Sequence, residues 1–140
     1  MKAVLHTDGG ARGNPGPAAI GVVLEFPGTN QKTVELAETI GETTNNVAEY
    51  RAILRGLTET KTHGATEVDC YLDSELVVRQ LTGEYRVKDR RLAHLVHQVS
   101  DLSRTFTRVR FFAIPRKGNR QADRLVNRAL DGAKKNTPPR

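Results

Sequence analysis

An alternating run at the start of the chain, followed by turn-forming residues, constrains the fold more than any other feature. In residues 2–8, Ala3, Leu5 and Thr7 alternate with side chains that point the other way, which predicts a β-strand. The run stops at Asp8-Gly9-Gly10, a Gly/Pro/Asn cluster follows, and a second apolar run occupies residues 18–26. The pattern predicts two strands joined by a turn, with the carboxylate of Asp8 at the end of the first strand.

An acidic side chain on a buried central strand costs free energy unless it is paired or binds a cation. The alternative is structural, because a turn aspartate can accept hydrogen bonds from the amides of Gly9 and Gly10. This stretch alone leaves both interpretations open.

The remaining elements follow from hydrophobic spacing, turn residues and helix caps. Short connections predict that the first three strands are antiparallel, and helical crossovers predict that the first, fourth and fifth strands are parallel. The expected fold class is α/β, a five-stranded mixed sheet in βββαβαβα order flanked by helices, with a further helix before the fifth strand. The expected later strands are residues 32–40, 67–72 and 105–114, and helices are expected from residues 43–46 to Gly64, over 75–81, around 92–102 and from Gly118-Asn119 onward.

One domain is expected over residues 1–133, with residues 134–140 as a mobile tail because they lack an apolar anchor. Cys70 is the only cysteine, which excludes an internal disulfide and fits a cytoplasmic location. The sequence has no membrane-spanning run, no signal-peptide pattern and no zinc-type Cys/His cluster.

Charge is distributed unevenly along the chain. Residues 1–70 hold 6 Lys/Arg and 9 Asp/Glu, whereas residues 71–140 hold 16 and 7, and the formal net charge is +6. This asymmetry indicates a polyanionic partner on one side of the molecule, or alternatively a merely solvated basic surface.

Four carboxylates, those of Asp8, Glu49, Asp73 and Asp123, stand at or near the ends of predicted elements. Each also has a structural interpretation: Glu49 has capping-box spacing from Asn46, Asp73 follows a strand in a turn, and Asp123 complements a helix dipole. Together they are expected to converge on one edge of the sheet, where ligands of such folds collect. Clustered carboxylates repel one another, and oxygen-only ligands suit Mg²⁺ or Mn²⁺.

The four carboxylates belong to four longer motifs: Asp8-Gly9-Gly10 with Gly13-Asn14-Pro15-Gly16-Pro17, Thr44-Asn45-Asn46-Val47-Ala48-Glu49, Asp73-Ser74, and Asn119-Arg120-Gln121-Ala122-Asp123. With these motifs in this order, the chain resembles type 1 ribonuclease H over residues 1 to about 133. It looks similar to the short archaeal and bacterial subgroup, some members of which also cut double-stranded RNA.

The resemblance implies endonucleolytic hydrolysis of the RNA strand of RNA/DNA hybrids, giving 5′-phosphate and 3′-hydroxyl ends, by a monomer that uses two Mg²⁺ or Mn²⁺ ions. It implies that the four carboxylates are catalytic and bind the metal, and that double-stranded RNA is a further candidate partner. The substrate-binding residues that it implies, together with two basic residues in the loop before the last helix, are Gly9, Gly10, Asn14, Thr44, Asn45, Asn46, Arg116 and Lys117.

Three departures separate the chain from the best-known members. Residues 115–118 contain no histidine, the segment 83–92 is too short for the usual basic protrusion, and Glu42 stands where a phosphate-binding arginine is common. In many members this protrusion binds the DNA strand. Candidates for replacing part of that contact are Arg86, Lys88, Arg90 and Arg91. A non-cleaving module that binds hybrids or double-stranded RNA, and a sugar-kinase or actin-type ATPase of related fold, remain the alternatives.

Overall fold

The computed structural model describes the backbone of residues 1–135 and the side chains of residues 1–133. This part of the chain forms an α/β fold with five strands, four α-helices and one short 3-10 helix, Arg116–Asn119. The strands are β1 (Lys2–Ala11), β2 (Gly16–Glu25), β3 (Val34–Thr43), β4 (Glu67–Leu72) and β5 (Arg108–Ala113). The α-helices are α1 (Asn45–Thr62), α2 (Glu75–Leu81), α3 (Arg90–Ser103) and α4 (Arg120–Lys135).

The strands form one mixed sheet in the spatial order β3-β2-β1-β4-β5. The pairs β1–β2 and β2–β3 are antiparallel, and β1–β4 and β4–β5 are parallel. The predicted sheet and its strand directions are therefore confirmed. The helix α4 continues to Lys135, and the rest of the predicted tail, residues 136–140, lies outside the described residues. Among the described residues, no helix is long and apolar enough to cross a membrane.

The core is divided between the two faces of the sheet. On one face, Leu5 of β1 packs in a large apolar cluster with residues of α1, α2 and α3, including Leu57, Val77 and Val99. On the other face, α4 places Leu125 against Val23 of β2, and two more of its apolar residues against Ala19. The alternation in β1 sends odd-numbered side chains toward α1 and leaves Asp8 on the α4 face.

The first strand is longer than its apolar run predicts. The expected end at Asp8-Gly9-Gly10 is wrong, because Gly9, Gly10 and Ala11 continue to pair with Ile20, Ala19 and Ala18 of β2. Cross-strand hydrogen bonds, which apolar alternation does not report, extend the strand. The carboxylate of Asp8 therefore projects from the interior of a strand rather than from its end.

The start of α1 differs from the capping-box alternative. Thr44 is the N-cap, and its side-chain oxygen accepts a hydrogen bond from the backbone N–H of Val47 at 3.3 Å. Asn46 thus lies inside the helix and does not cap it, so no capping box forms between Asn46 and Glu49. The side chain of Glu49 is consequently available for another role.

Two glycines allow the backbones of α1 and α4 to pack directly against the backbone of the sheet. A Cβ atom on Gly9 would lie 2.3 Å from the carbonyl carbon of Ala48 in α1. A Cβ atom on Gly21, which pairs with Asp8, would lie 2.2 Å from the carbonyl oxygen of Ala122 in α4. Glycine at these two positions therefore lets the first turns of both helices press against the centre of the sheet.

We expect Gly21→Ala to lower the free energy of unfolding by about 2 kcal/mol, because the new methyl group collides with backbone that cannot rotate away. Urea denaturation of the variant and the parent would measure the change. Gly132→Ala is the matched control: Gly132 lies in α4, the helix that Gly21 of β2 contacts, and a Cβ atom there has no neighbour within 4 Å. It should leave stability unchanged or raise it by up to about 1 kcal/mol. Equal stability of Gly21→Ala and the parent would contradict the close approach.

Candidate active site

A cleft of about 420 Å³ opens where β1, the first turns of α1 and α4, and the end of β4 meet. All four predicted carboxylates line it, and each is partly buried. The cleft is also lined by four of the predicted substrate-binding residues: Gly9, Gly10, Asn45 and Arg116.

The sheet register brings the carboxylates of Asp8 and Asp73 to the same level. His6 of β1 pairs with Tyr71 of β4 in parallel, and each acidic residue follows two positions later. Glu49 reaches the cleft from the second turn of α1, because Gly9 lets that helix lie against β1. Asp123 reaches it from the first turn of α4.

Burial, together with repulsion between neighbouring carboxylates, raises the pKa of Asp8, Glu49 and Asp73. Burial, followed by repulsion from Asp73, Asp123 and Glu49, raises the pKa of Asp8 to about 8, and Asp8 and Asp123 lie within hydrogen-bonding reach of each other. Burial and the charge of Asp73 raise the pKa of Glu49 to about 7, although a hydrogen bond with Ser74 opposes the shift. Burial also raises the pKa of Asp73. Such a cluster favours either protons or cations.

Arg116 is the cation nearest to the acidic cluster among the residues that the sequence proposed. Its Nη2 atom lies 3.7 Å from Oδ1 of Asp123, and its charge opposes the upward shift in the pKa of Asp73. The side chain is 81% exposed, so it can turn toward a ligand. Lys117, on the same 3-10 helix, is exposed but does not line the cleft.

Two asparagines tie the β1–β2 turn to the start of α1. The backbone N–H of Asn45 donates to Oδ1 of Asn14 at 3.0 Å, and that of Ala11 donates to Oδ1 of Asn45 at 2.8 Å. Both contacts use a side-chain oxygen, so the NH₂ groups of the two amides are not engaged by them. The turn and the helix are thereby held together beside the carboxylates.

A second, smaller pocket of about 230 Å³ lies on the other side of the same turn. Its lining includes Asn14, Thr44 and Asn46, and also Arg91 at the start of α3. Nη2 of Arg91 donates to Oγ1 of Thr43 at 3.1 Å. Of the four basic residues proposed to replace the DNA-strand contacts of the protrusion, Arg91 is the one that lines this pocket.

Sequence reasoning did not identify two polar residues that line the main cleft, Arg12 and Asn127. Asn127 follows Asp123 by four residues, a spacing that places both on one face of a helix and could have indicated it. Arg12 carries no such signal, because its position depends on how the turn meets α4. The four histidines stay outside the cleft: His6 stacks on Tyr71, His63 contacts Phe26, and His94 and His97 are exposed.

The donor set of the cleft consists of oxygen atoms and suits a hard divalent cation. In the described part of the chain, no three His, Cys, Asp or Glu side chains are close enough together to form a ready-made metal cage. The four carboxylates thus share a cleft in which the pKa values of Asp8, Glu49 and Asp73 are raised, and a bound cation would relieve the repulsion between them.

Comparison with known proteins identifies relatives over most of the chain. Residues 6–129 match the family described as reverse transcriptase-like. The bifunctional protein Rv2228c of Mycobacterium tuberculosis is 44% identical over 133 residues, which are 95% of this chain and 36% of that protein. The solved N-terminal RNase H domain of Rv2228c, a fusion with maltose-binding protein, is similar with a TM-score of 0.88 and 43% identity, covering 94% of this chain and 100% of that chain.

Two further relatives extend the comparison. Ribonuclease HI of Halobacterium salinarum is 40% identical over 91% of this chain and 64% of that protein, and its crystal structure gives a TM-score of 0.89 at 37% identity over 94% and 99% of the two chains. The structure of LC11-RNase H1 in complex with an RNA/DNA hybrid gives a TM-score of 0.84 and 42% identity, and the match covers 94% of this chain and 98% of that chain. The chain thus spans 36% and 64% of the two curated relatives. Because the family match covers most of its length, the chain belongs to the reverse transcriptase-like family and has the ribonuclease H-like fold.

Proposed function

We propose that this chain is an endoribonuclease of the type 1, short-subgroup kind that hydrolyses the RNA strand of RNA/DNA hybrids, leaving 5′-phosphate and 3′-hydroxyl ends. The observation that carries the proposal is the convergence of four carboxylates from four separate elements in one cleft. The likeness to LC11-RNase H1, whose structure is in complex with an RNA/DNA hybrid, supports the choice of substrate.

The carboxylates of Asp8, Glu49, Asp73 and Asp123 fit a divalent cation by donor chemistry and by charge. Burial and repulsion between the carboxylates raise the pKa of Asp8 and Glu49, and a cation of the Mg²⁺ or Mn²⁺ type would offset the repulsion. Two such ions, when bound, supply an activated water and stabilise the leaving oxygen of a phosphodiester. The same four residues would hold both ions.

The other groups of the cleft orient the acidic residues and the substrate. The hydroxyl of Ser74 caps α2 by accepting from the N–H of Val77 at 3.2 Å, and it also holds the carboxylate of Glu49. Arg116 offsets negative charge at Asp123 and Asp73 and is exposed enough to contact a phosphate oxygen of the substrate.

Recognition of a hybrid requires contact with 2′-hydroxyls on one strand and with phosphates on the other. The amides of Asn14 and Asn45 can both donate and accept, as binding to a 2′-hydroxyl requires; Asn45 lines the carboxylate cleft, and Asn14 contacts the backbone of Asn45. The pocket of Thr44, Asn46 and Arg91 supplies donors for a phosphate of the DNA strand. In this assignment Arg91 provides the positive charge for the phosphate, because Glu42 occupies the position where other members commonly have a phosphate-binding arginine.

We expect Asp8→Asn to reduce cleavage by about a thousand-fold or more, because it removes a charge from the centre of the metal-binding set. The assay uses one end-labelled RNA paired with DNA or with RNA, in Mg²⁺ and in Mn²⁺. Asp101→Asn, an exposed residue of α3 remote from the cleft, should retain full activity. Metal-independent products, or full activity of Asp8→Asn, would refute the nuclease. Hybrid binding without any cleavage would favour a non-cleaving module.

Stability without metal should fall as pH rises from about 4 to about 8. The raised pKa values of Asp8 and Glu49 mean that the folded state holds protons which the unfolded state has already released in this window. We expect the free energy of unfolding of Asp8→Asn to exceed that of the parent by on the order of 2 kcal/mol at pH 9, and this difference should be smaller at pH 4. Urea denaturation in EDTA measures the difference, and added Mn²⁺ should stabilise the parent. A difference that does not depend on pH would contradict the repulsion.

Replacing the arginine of the second pocket should weaken binding rather than chemistry. In the cleavage-deficient Asp8→Asn background, Arg91→Gln should raise the Kd for a labelled hybrid several-fold and reduce the slope of log Kd against log salt by about 1. Arg104→Gln, exposed at the far end of α3, is the control and should change neither value. Identical Kd values for the parent and Arg91→Gln would remove this pocket from the binding surface.

A further inference from the structure

Arg12 reaches from the β1–β2 turn across to α4. Its Nη2 atom lies 2.8 Å from Oδ1 of Asp131 and 3.4 Å from Oδ1 of Asn127. The residue lines both the carboxylate cleft and an adjoining groove of about 490 Å³, and the two share Leu130 as well. The guanidinium therefore stands at the boundary between the cleft and the groove.

The backbone of Arg12 is held firmly while its side chain is not. The backbone N–H of Arg12 donates to the carbonyl oxygen of Pro17 at 2.8 Å. The carbonyl oxygen of Arg12 packs so closely on Gly16 that a Cβ atom on Gly16 would lie 2.2 Å from it. The side chains of Arg12 and Asp131 are 42% and 60% exposed. Ion pairs this exposed contribute little to stability, so the guanidinium can exchange partners at small cost.

The position along α4 indicates what Arg12 would contact. Asp123, Asn127 and Asp131 are four residues apart and share a face of the helix, so the two partners of Arg12 lie roughly 6 Å and 12 Å along the axis from the catalytic carboxylate of Asp123. An anion held by Arg12 would sit beside the group being cleaved and not at it. Among the described residues that line the cleft, the cationic side chains are those of Arg12 and Arg116.

We propose that Arg12 binds a phosphate of the cleaved strand next to the scissile one, and that Asp131 competes with this phosphate for the guanidinium. The inference rests on the proposed nuclease function, which supplies the polyanion. Without substrate, Asp131 holds Arg12 against α4. With substrate, the phosphate replaces Asp131 and receives a charge-assisted hydrogen bond from the arginine.

A purely structural pair would behave differently. If the contact serves only to fasten the turn to α4, removing either partner loosens the same contact, and both variants should bind the substrate more weakly. Competition predicts opposite effects. The loss of Asp131 releases Arg12 to bind the phosphate, whereas the loss of Arg12 removes the side chain that binds the phosphate. The two single variants therefore separate the explanations.

The experiment measures the Kd of a labelled RNA/DNA hybrid in the Asp8→Asn background over a range of salt concentrations, and kcat and KM with Asp8 intact. Arg12→Gln should raise Kd and KM about 3- to 10-fold, leave kcat nearly unchanged and lower the salt slope by about 1. Asp131→Asn should lower Kd about 2- to 5-fold, and it should lose most of that effect when combined with Arg12→Gln.

The pair of Arg108 and Glu67 provides matched controls, since it is similarly exposed and lies at the opposite end of the parallel strands. Arg108→Gln and Glu67→Gln should leave Kd and KM unchanged. Weaker binding by both Arg12→Gln and Asp131→Asn, or no effect of Arg12→Gln while the parent cleaves hybrid, would overturn the inference and leave the nuclease standing. A parent protein that neither binds nor cleaves hybrid would overturn both.

Discussion

Backbone contact between the central strand and two helices is the constraint on which the rest of the structure depends. Gly9 lets α1 lie against β1 on one face of the sheet, and Gly21, beside Asp8, lets α4 approach on the other. A side chain at either position would push a helix away from the sheet. Because Glu49 and Asp123 stand near the starts of those helices, the same two contacts determine whether the carboxylates share one cleft.

The cleft is electrostatically costly for the folded chain. Burial and repulsion raise the pKa of Asp8 to about 8, a penalty that the apolar packing on both faces of the sheet must offset. Sites built for catalysis often carry such a cost, since groups arranged for a ligand are not arranged for stability. A cation of the kind proposed would offset the repulsive part of this cost.

Positive charge around the cleft is arranged by distance from the carboxylates. Arg116 lies close to Asp123, Arg12 of the β1–β2 turn contacts Asp131 further along α4, and Arg91 borders a separate pocket. A polyanion bound at either pocket would therefore meet a cationic side chain. The turn that carries Arg12 and Asn14 stands between the two pockets and contributes to both.

Local patterns in the sequence were sufficient for most elements and for the four carboxylates. The strand Glu67–Leu72 and the helix Glu75–Leu81 with its Ser74 cap have the predicted bounds, because periodicity and capping are short-range properties. The end of β1 was placed too early, because pairing with β2 extends the strand. The helix α1 begins within the predicted residues 43–46, and Thr44, rather than the alternative Asn46, provides the capping oxygen.

The sequence by itself therefore determined the order of the elements, the directions of the strands and the identity of the acidic residues, since these depend on hydrophobic spacing and on motifs. The tertiary structure alone decided which basic residues stand near them. Arg12 meets Asp131 across 119 positions of the chain, Arg91 meets Thr43, and Lys117 stays outside the cleft although Arg116 enters it. Long side chains on turns and helix ends reach partners that are distant in sequence, and only the packing of α1, α3 and α4 on the sheet brings those partners within reach.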